Sequence, residues 1–282
     1  MEIRSVTRAL PGLETMDGAG VKLVRLFGHR EAALLDPFLL LDFFGSDDPE
    51  LYLPGFPWHP HRGIETVTYM LDGTVRHGDS MGNSGFIGPG DLQWMTAGSG
   101  IIHEEMPQSS PLGIRGIQLW LNLPAAEKMR DPAYRGFGAS QVPAERTDSG
   151  EIRVLAGRFG GTRGPVQGIE RDPILLDLRL GDSGSATIEA PRGATAIACL
   201  YEGSLAEPAL PEGGLPRCIL FGDGDAARFE AGKKGCSLLF ACARPLREEI
   251  AWGGPIVMNT RAELELAFRE YEAGTFVKKG AS

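Results

Sequence analysis

The 282-residue chain has no histidine after His103, no CxxC pair of cysteines, no block of lysine or arginine, and no long uncharged apolar run. Each absence excludes a class of function. With a formal charge of −9 and no basic residues interleaved with aromatics, the chain lacks the electrostatic footprint of direct nucleic-acid binding or of a membrane-surface protein. No stretch reaches the roughly 18 apolar residues of a membrane-crossing helix, and Met1-Glu2-Ile3-Arg4-Ser5 has no apolar signal core. A soluble, cytoplasmic protein is expected. Cys199, Cys218, Cys236 and Cys242 all lie in the second half, with no histidine there to complete a zinc set, and are expected to be buried small apolar residues.

Glycine (39) and proline (20) are plentiful and spread along the whole chain, which suits short strands joined by tight turns better than long helices. From Val21 to about Leu123 the sequence reads as short apolar or alternating runs, such as Glu65-Thr66-Val67-Thr68-Tyr69-Met70 and Ile117-Gln118-Leu119-Trp120-Leu121-Asn122. Leu71-Asp72-Gly73-Thr74 reads as a hairpin turn, and Gly88-Pro89-Gly90-Asp91 as a tight turn feeding the next strand. A short helix is expected near Pro124–Met129. A second series of strand-like runs begins after Val142-Pro143, so an all-β chain of two barrels is predicted. Near the C-terminus Thr260-Arg261-Ala262-Glu263 matches a capping box, and Leu264, Leu266, Ala267, Phe268 and Tyr271 give a helix an apolar stripe to pack on a barrel.

Three of the five histidines fall into two short clusters, His59-Pro60-His61 and His103-Glu104-Glu105. In an extended strand residues two apart share a face, so His59 with His61, and His103 with Glu105, can each reach one centre. Three neutral imidazoles and a carboxylate suit a divalent transition metal with positions left open for substrate. Glu65 has the same parity as His61 and competes for the carboxylate role. Glu104 has the opposite parity and should point away. His77 is expected in a loop or at a strand end and His29 on the surface, while Gln93, Met95, Gln118 and Trp120 are candidates to line a pocket.

The stretches Gly55-Phe56-Pro57-Trp58-His59-Pro60-His61-Arg62-Gly63-Ile64-Glu65 and Pro89-Gly90-Asp91-Leu92-Gln93-Trp94-Met95-Thr96-Ala97-Gly98-Ser99-Gly100-Ile101-Ile102-His103-Glu104-Glu105-Met106 resemble the pirin family of the cupin superfamily. Asp36-Pro37-Phe38-Leu39-Leu40 and Gly254-Pro255-Ile256-Val257-Met258-Asn259 match it as well. The resemblance implies two cupin (double-stranded β-helix, jelly-roll) barrels face to face. Residues 1–135 would form a metal-binding barrel, and 136–282 a barrel without a metal site that ends in a helix. It further implies one metal per chain, iron(II) with Mn, Co, Ni, Cu or Zn as alternatives, held by His59, His61, His103 and Glu105, with Glu65 supporting a ligand. Glu105 would also be the catalytic base. The implied activity is that of a quercetin 2,3-dioxygenase, which opens the heterocycle of a flavonol with dioxygen and releases carbon monoxide. The alternative is a regulator whose bound iron and its redox state modulate contact with a protein partner. A monomer is expected.

Overall fold

The computed structural model describes residues 1–210 and 213–278. The chain is mostly strand, with short 3-10 turns and two α-helices among the described residues, Ala32–Leu35 and Arg261–Glu272. It divides into two compact units.

One unit comprises Glu14–Ala139 with Leu246–Ser282. Its larger sheet has seven strands in the order Ala133–Phe137, Leu92–Thr96, Ile64–Asp72, Ile114–Asn122, Phe38–Ser46, Val21–Phe27 and Leu13–Asp17. Its smaller sheet runs Phe56–His61, Ile101–Pro107, Val75–Asp79, Ser84–Ile87. Burial alternates along Ile101–Pro107, as a strand dictates, so every second side chain, His103 and Glu105 among them, turns inward. The other unit comprises Met1–Leu13 with Ser140–Pro245. Its eight-stranded sheet closes over Ile152, Leu176, Leu178, Phe229, Leu238 and Phe240, each at most 1% exposed. All four cysteines are buried and unpaired there, as expected. Burial pushes the Cys218 thiol up to about 12, where it is a packing group and not a nucleophile.

The units do not follow the expected division at residue 135. The first strand, Val6–Pro11, pairs with Arg217–Phe221 in the eight-stranded sheet. The C-terminal segment instead belongs with the histidine-bearing unit, because Ile256, Met258, Ala267 and Phe276 bury together against Ile102. Val257 likewise joins the cluster of Ile64, Met95 and Ile101. Apolar burial at about 25 cal/mol per Å² rewards that exchange regardless of distance along the chain.

Helix Arg261–Glu272 carries the expected capping box, with Thr260 accepting from the Glu263 backbone N–H and the Glu263 side chain accepting from that of Thr260. Its apolar stripe is only partly used. Ala267 is fully buried, whereas Leu266, Phe268 and Tyr271 remain 47%, 37% and 39% exposed. A 3-10 turn at Ala125–Glu127 occupies the place of the helix expected there. Leu71-Asp72-Gly73-Thr74 does turn, with Gly73 at φ +74, but the strands on either side enter different sheets and make no hairpin.

Candidate metal centre

His59 and His61 stand on one strand, and the antiparallel pairing sets His103 opposite His59 and Ile101 opposite His61. The register between these strands shifts after His103, so that Glu105 faces Phe56. The ligand atoms of His59, His61 and His103 lie within 4.8 Å of one another. His59 Nδ1 is 2.8 Å from the Pro57 carbonyl and His61 Nδ1 is 3.0 Å from that of Pro255. A carbonyl can only accept, so each Nδ1 carries the proton and donates it, and each neutral ring keeps its lone pair on Nε2. Those two Nε2 atoms are 3.1 Å apart. Two lone pairs at that distance repel unless a cation lies between them.

Protonation of His61 or His103 does not provide that cation readily. Burial, with His59 alongside, pulls His61 down to about 3. Burial also holds His103 well below the ordinary histidine range, with further contributions from His59, His61 and His77. Both ring nitrogens of His103 are buried with no hydrogen-bond partner. An orphaned imidazole beside two lone pairs is costly in an apolar interior and is satisfied by a divalent metal. The donor set fits such an ion.

Glu105 belongs to a second cluster, with ligand atoms of His77, His103 and Glu105 within 4.8 Å of one another. His103 is the member shared with the trio. The Glu105 Oε1 atom accepts from Thr68 Oγ1 at 2.9 Å and from Gln93 Nε2 at 3.3 Å. His59, His61 and Glu105 face a cavity of about 680 Å³ walled by Trp58, Trp120, Trp252, Phe44 and Phe56, with Arg25, Asp42, Thr68 and Gln118 among its polar lining. Its size and mostly apolar wall suit a small-molecule ligand.

The sequence matches the pirin family model over residues 20–121 and the pirin C-terminal cupin domain over residues 175–277. A pirin-like protein from Caulobacter vibrioides is 44% identical over 98% of this chain and 100% of its own. The chain belongs to the pirin family. Pirin from Homo sapiens is 35% identical, over 95% of this chain and 92% of its own length. A crystal structure of quercetin 2,3-dioxygenase from Acinetobacter baumannii superposes with a TM-score of 0.87, at 31% identity, covering 97% of this chain and 98% of that one.

Within this pirin-family chain, Glu65 belongs to neither donor cluster. It is buried and accepts from Thr96 Oγ1 at 2.7 Å, so it braces the wall of the sheet. Glu104 points away as expected and pairs with Arg76 at 2.8 Å. Gln118 and Trp120 line the cavity, whereas Gln93 is buried against Glu105 and Met95 sits in the apolar core. His29 is exposed and packs against Trp252 at the cavity wall.

His77 departs most from expectation. It is fully buried inside the Val75–Asp79 strand, stacked on Tyr134 at 4.8 Å, with Nε2 3.3 Å from Asp79 Oδ2. The glycine and serine around it suggest a turn, yet Val75, His77 and Asp79 alternate as a strand face should, and that was the available signal. Trp252 gave no signal, and Pro255 entered only within a family match that said nothing of its contact with His61, since both join the site from about 150 residues beyond His103.

Proposed function

We propose that the protein is a metal-dependent dioxygenase of the quercetinase type, which opens the heterocycle of a flavonol with dioxygen and releases carbon monoxide. The observation that carries this reading is the convergence of three imidazoles, one of them with both ring nitrogens unpartnered, beside an aromatic-walled cavity of about 680 Å³ that His59 and His61 line. Likeness to a quercetin 2,3-dioxygenase along nearly the whole chain supports it. His59, His61 and His103 would hold the ion, with Glu105 as the carboxylate ligand, and iron(II) is the ion proposed.

When bound, a divalent metal supplies Lewis acidity toward the hydroxyl of a chelating hydroxy-ketone and a redox partner for dioxygen. The residues of the chain do the rest. The carbonyls of Pro57 and Pro255 fix the two imidazole tautomers, so both Nε2 lone pairs stay aimed at one point. Glu105 takes the substrate proton. Its partner Thr68 supports that role, because the single hydroxyl hydrogen of Thr68 lies between two acceptors, Glu105 Oε1 at 2.9 Å and Gln118 Oε1 at 2.7 Å. Once Glu105 is protonated it can donate to Thr68 and Thr68 to Gln118, so the proton completes the chain of hydrogen bonds. Trp120 and Trp252 offer flat apolar faces to the rings of the substrate and keep water from the electron-rich enolate.

The test is oxygen uptake and carbon monoxide release by the metal-containing protein with quercetin. Stoichiometric consumption of both substrates is expected. A fully metallated protein that consumes no oxygen with any flavonol would overturn the reading.

A further inference from the structure

Arg25, Asp42, Gln118, Thr68 and Gln93 stand directly opposite one another on five neighbouring strands. Residues in register across a sheet share one face, so these side chains form a single polar row. Four of them line the cavity, and Glu105 meets the row at Thr68. The rows on either side are largely apolar, with Leu23, Leu40, Phe44 and Trp120 also lining the cavity. The polar row therefore runs as a stripe from the metal-side carboxylate to a second charged pole.

That pole is built to present acceptors. Arg25 holds Asp42 in a two-pronged pair, Nε to Oδ1 at 2.9 Å and Nη2 to Oδ2 at 2.7 Å, and also reaches Asp17 Oδ2 at 2.8 Å. Each Asp42 oxygen takes one N–H from Arg25 and retains capacity for another hydrogen bond. Anchoring the edge strand through exposed Asp17 needs only the guanidinium. It does not require a carboxylate only 4% exposed in the cavity wall, where desolvation is costly. At 4.7 to 4.9 Å per strand, Asp42 lies roughly 10 Å from Thr68 along the row, a gap that a flavonol can bridge when a hydroxyl on its pendant ring adds a hydrogen bond at the far end.

We propose that Asp42, oriented by Arg25, is a specificity-determining residue that accepts hydrogen bonds from hydroxyls on the substrate ring farthest from the metal-chelating oxygens. The substrate class is thus a flavonol with free phenolic hydroxyls at that end, and bare aromatic rings are discriminated against. The inference rests on the flavonol reading of the site.

Binding measures it without turnover. Under anaerobic conditions, quenching of tryptophan fluorescence in the metal-containing protein is titrated with quercetin, kaempferol and galangin, which carry two, one and no hydroxyls on that ring. Affinity should fall along the series, by about tenfold or more from quercetin to galangin, the scale expected when a buried acceptor loses its donor. In Asp42→Asn the quercetin to galangin ratio should shrink to about twofold. Equal affinities for the three flavonols in the unaltered protein, or a full preference retained in Asp42→Asn, would overturn the role of Asp42 and leave the flavonol reading standing. If none of the three binds, the flavonol reading fails and takes this inference with it. The series in the unaltered protein decides the matter even if Asp42→Asn does not fold.

Discussion

Replacing Glu105 by glutamine removes one function while preserving shape. The amide oxygen can still accept from Thr68 Oγ1, now 2.9 Å from Glu105 Oε1, and from Gln93 Nε2, so the side chain should stay in place. Three imidazoles can still hold an ion, and the metal content should fall only partly. A glutamine cannot take a proton from the substrate hydroxyl. Losing a general base costs about 10² to 10⁴ in rate, and the lower bound corresponds to roughly 2.7 kcal/mol of transition-state stabilisation. Quercetin-dependent oxygen uptake in Glu105→Gln, normalised to metal measured by elemental analysis, should therefore drop at least about 100-fold. Glu65→Gln is the control. Its amide oxygen can keep accepting from Thr96 Oγ1 and it faces neither donor cluster, so most activity should survive. Near-normal turnover in Glu105→Gln together with lost activity in Glu65→Gln would refute the assignment of the carboxylate.

His103→Ala should leave the protein with well under one equivalent of metal by elemental analysis, because it removes the imidazole common to both donor clusters. Truncation after Asn259 takes away Glu270 and Phe276, leaving the buried Arg62 without its 2.7 Å ion pair, its bond to the Phe276 carbonyl and its cation–π contact. Stranding such a charge costs about 3 to 5 kcal/mol, so thermal melting should fall by roughly 10 °C, and an unchanged melting curve would contradict this account. Lys128 Nζ donates to Gly63 O, Asn122 Oδ1 and Val257 O at 2.8, 2.6 and 2.9 Å, while burial pushes its ammonium down to about 7. From about pH 7 to the ordinary lysine value the unfolded chain binds a proton that the folded one does not, so this linkage makes stability rise with pH. The melting gap between the unaltered protein and Lys128→Met should widen from pH 7 to pH 9, and a constant gap would show that Lys128 keeps its charge.

The histidine trio was legible because its signal is local. Strand parity places His59 with His61, and a single antiparallel pairing delivers His103 opposite them. The capping box of Thr260 and Glu263 was legible for the same reason, being complete within four residues. Gly73 announced a bend but could not announce which strands would pair, because turn chemistry fixes backbone angles and leaves partner choice to distant burial. Parity admitted both Glu65 and Glu105. The fold sets them apart by position, placing Glu105 beside His77 and His103 and leaving Glu65 in neither donor cluster. The pole at Arg25 and Asp42 was invisible for a related reason, since each residue reads singly as an ordinary surface charge until five strands align.

The split composition of the histidine-bearing unit also sets an order of events during synthesis. Ribosomes deliver His59, His61 and His103 early, but the Pro255 carbonyl that fixes the His61 tautomer and the Phe276 carbonyl that holds Arg62 arrive only after the whole intervening cupin has been translated. A nascent chain stalled before Pro255 would present the three imidazoles with the His61 tautomer not yet fixed. If the site is loaded as proposed, the choice of ion would be made during maturation, before or after the last strand pair, Ala251–Gly253 with Ile256–Met258, brings Trp252 and Pro255 to the cavity wall.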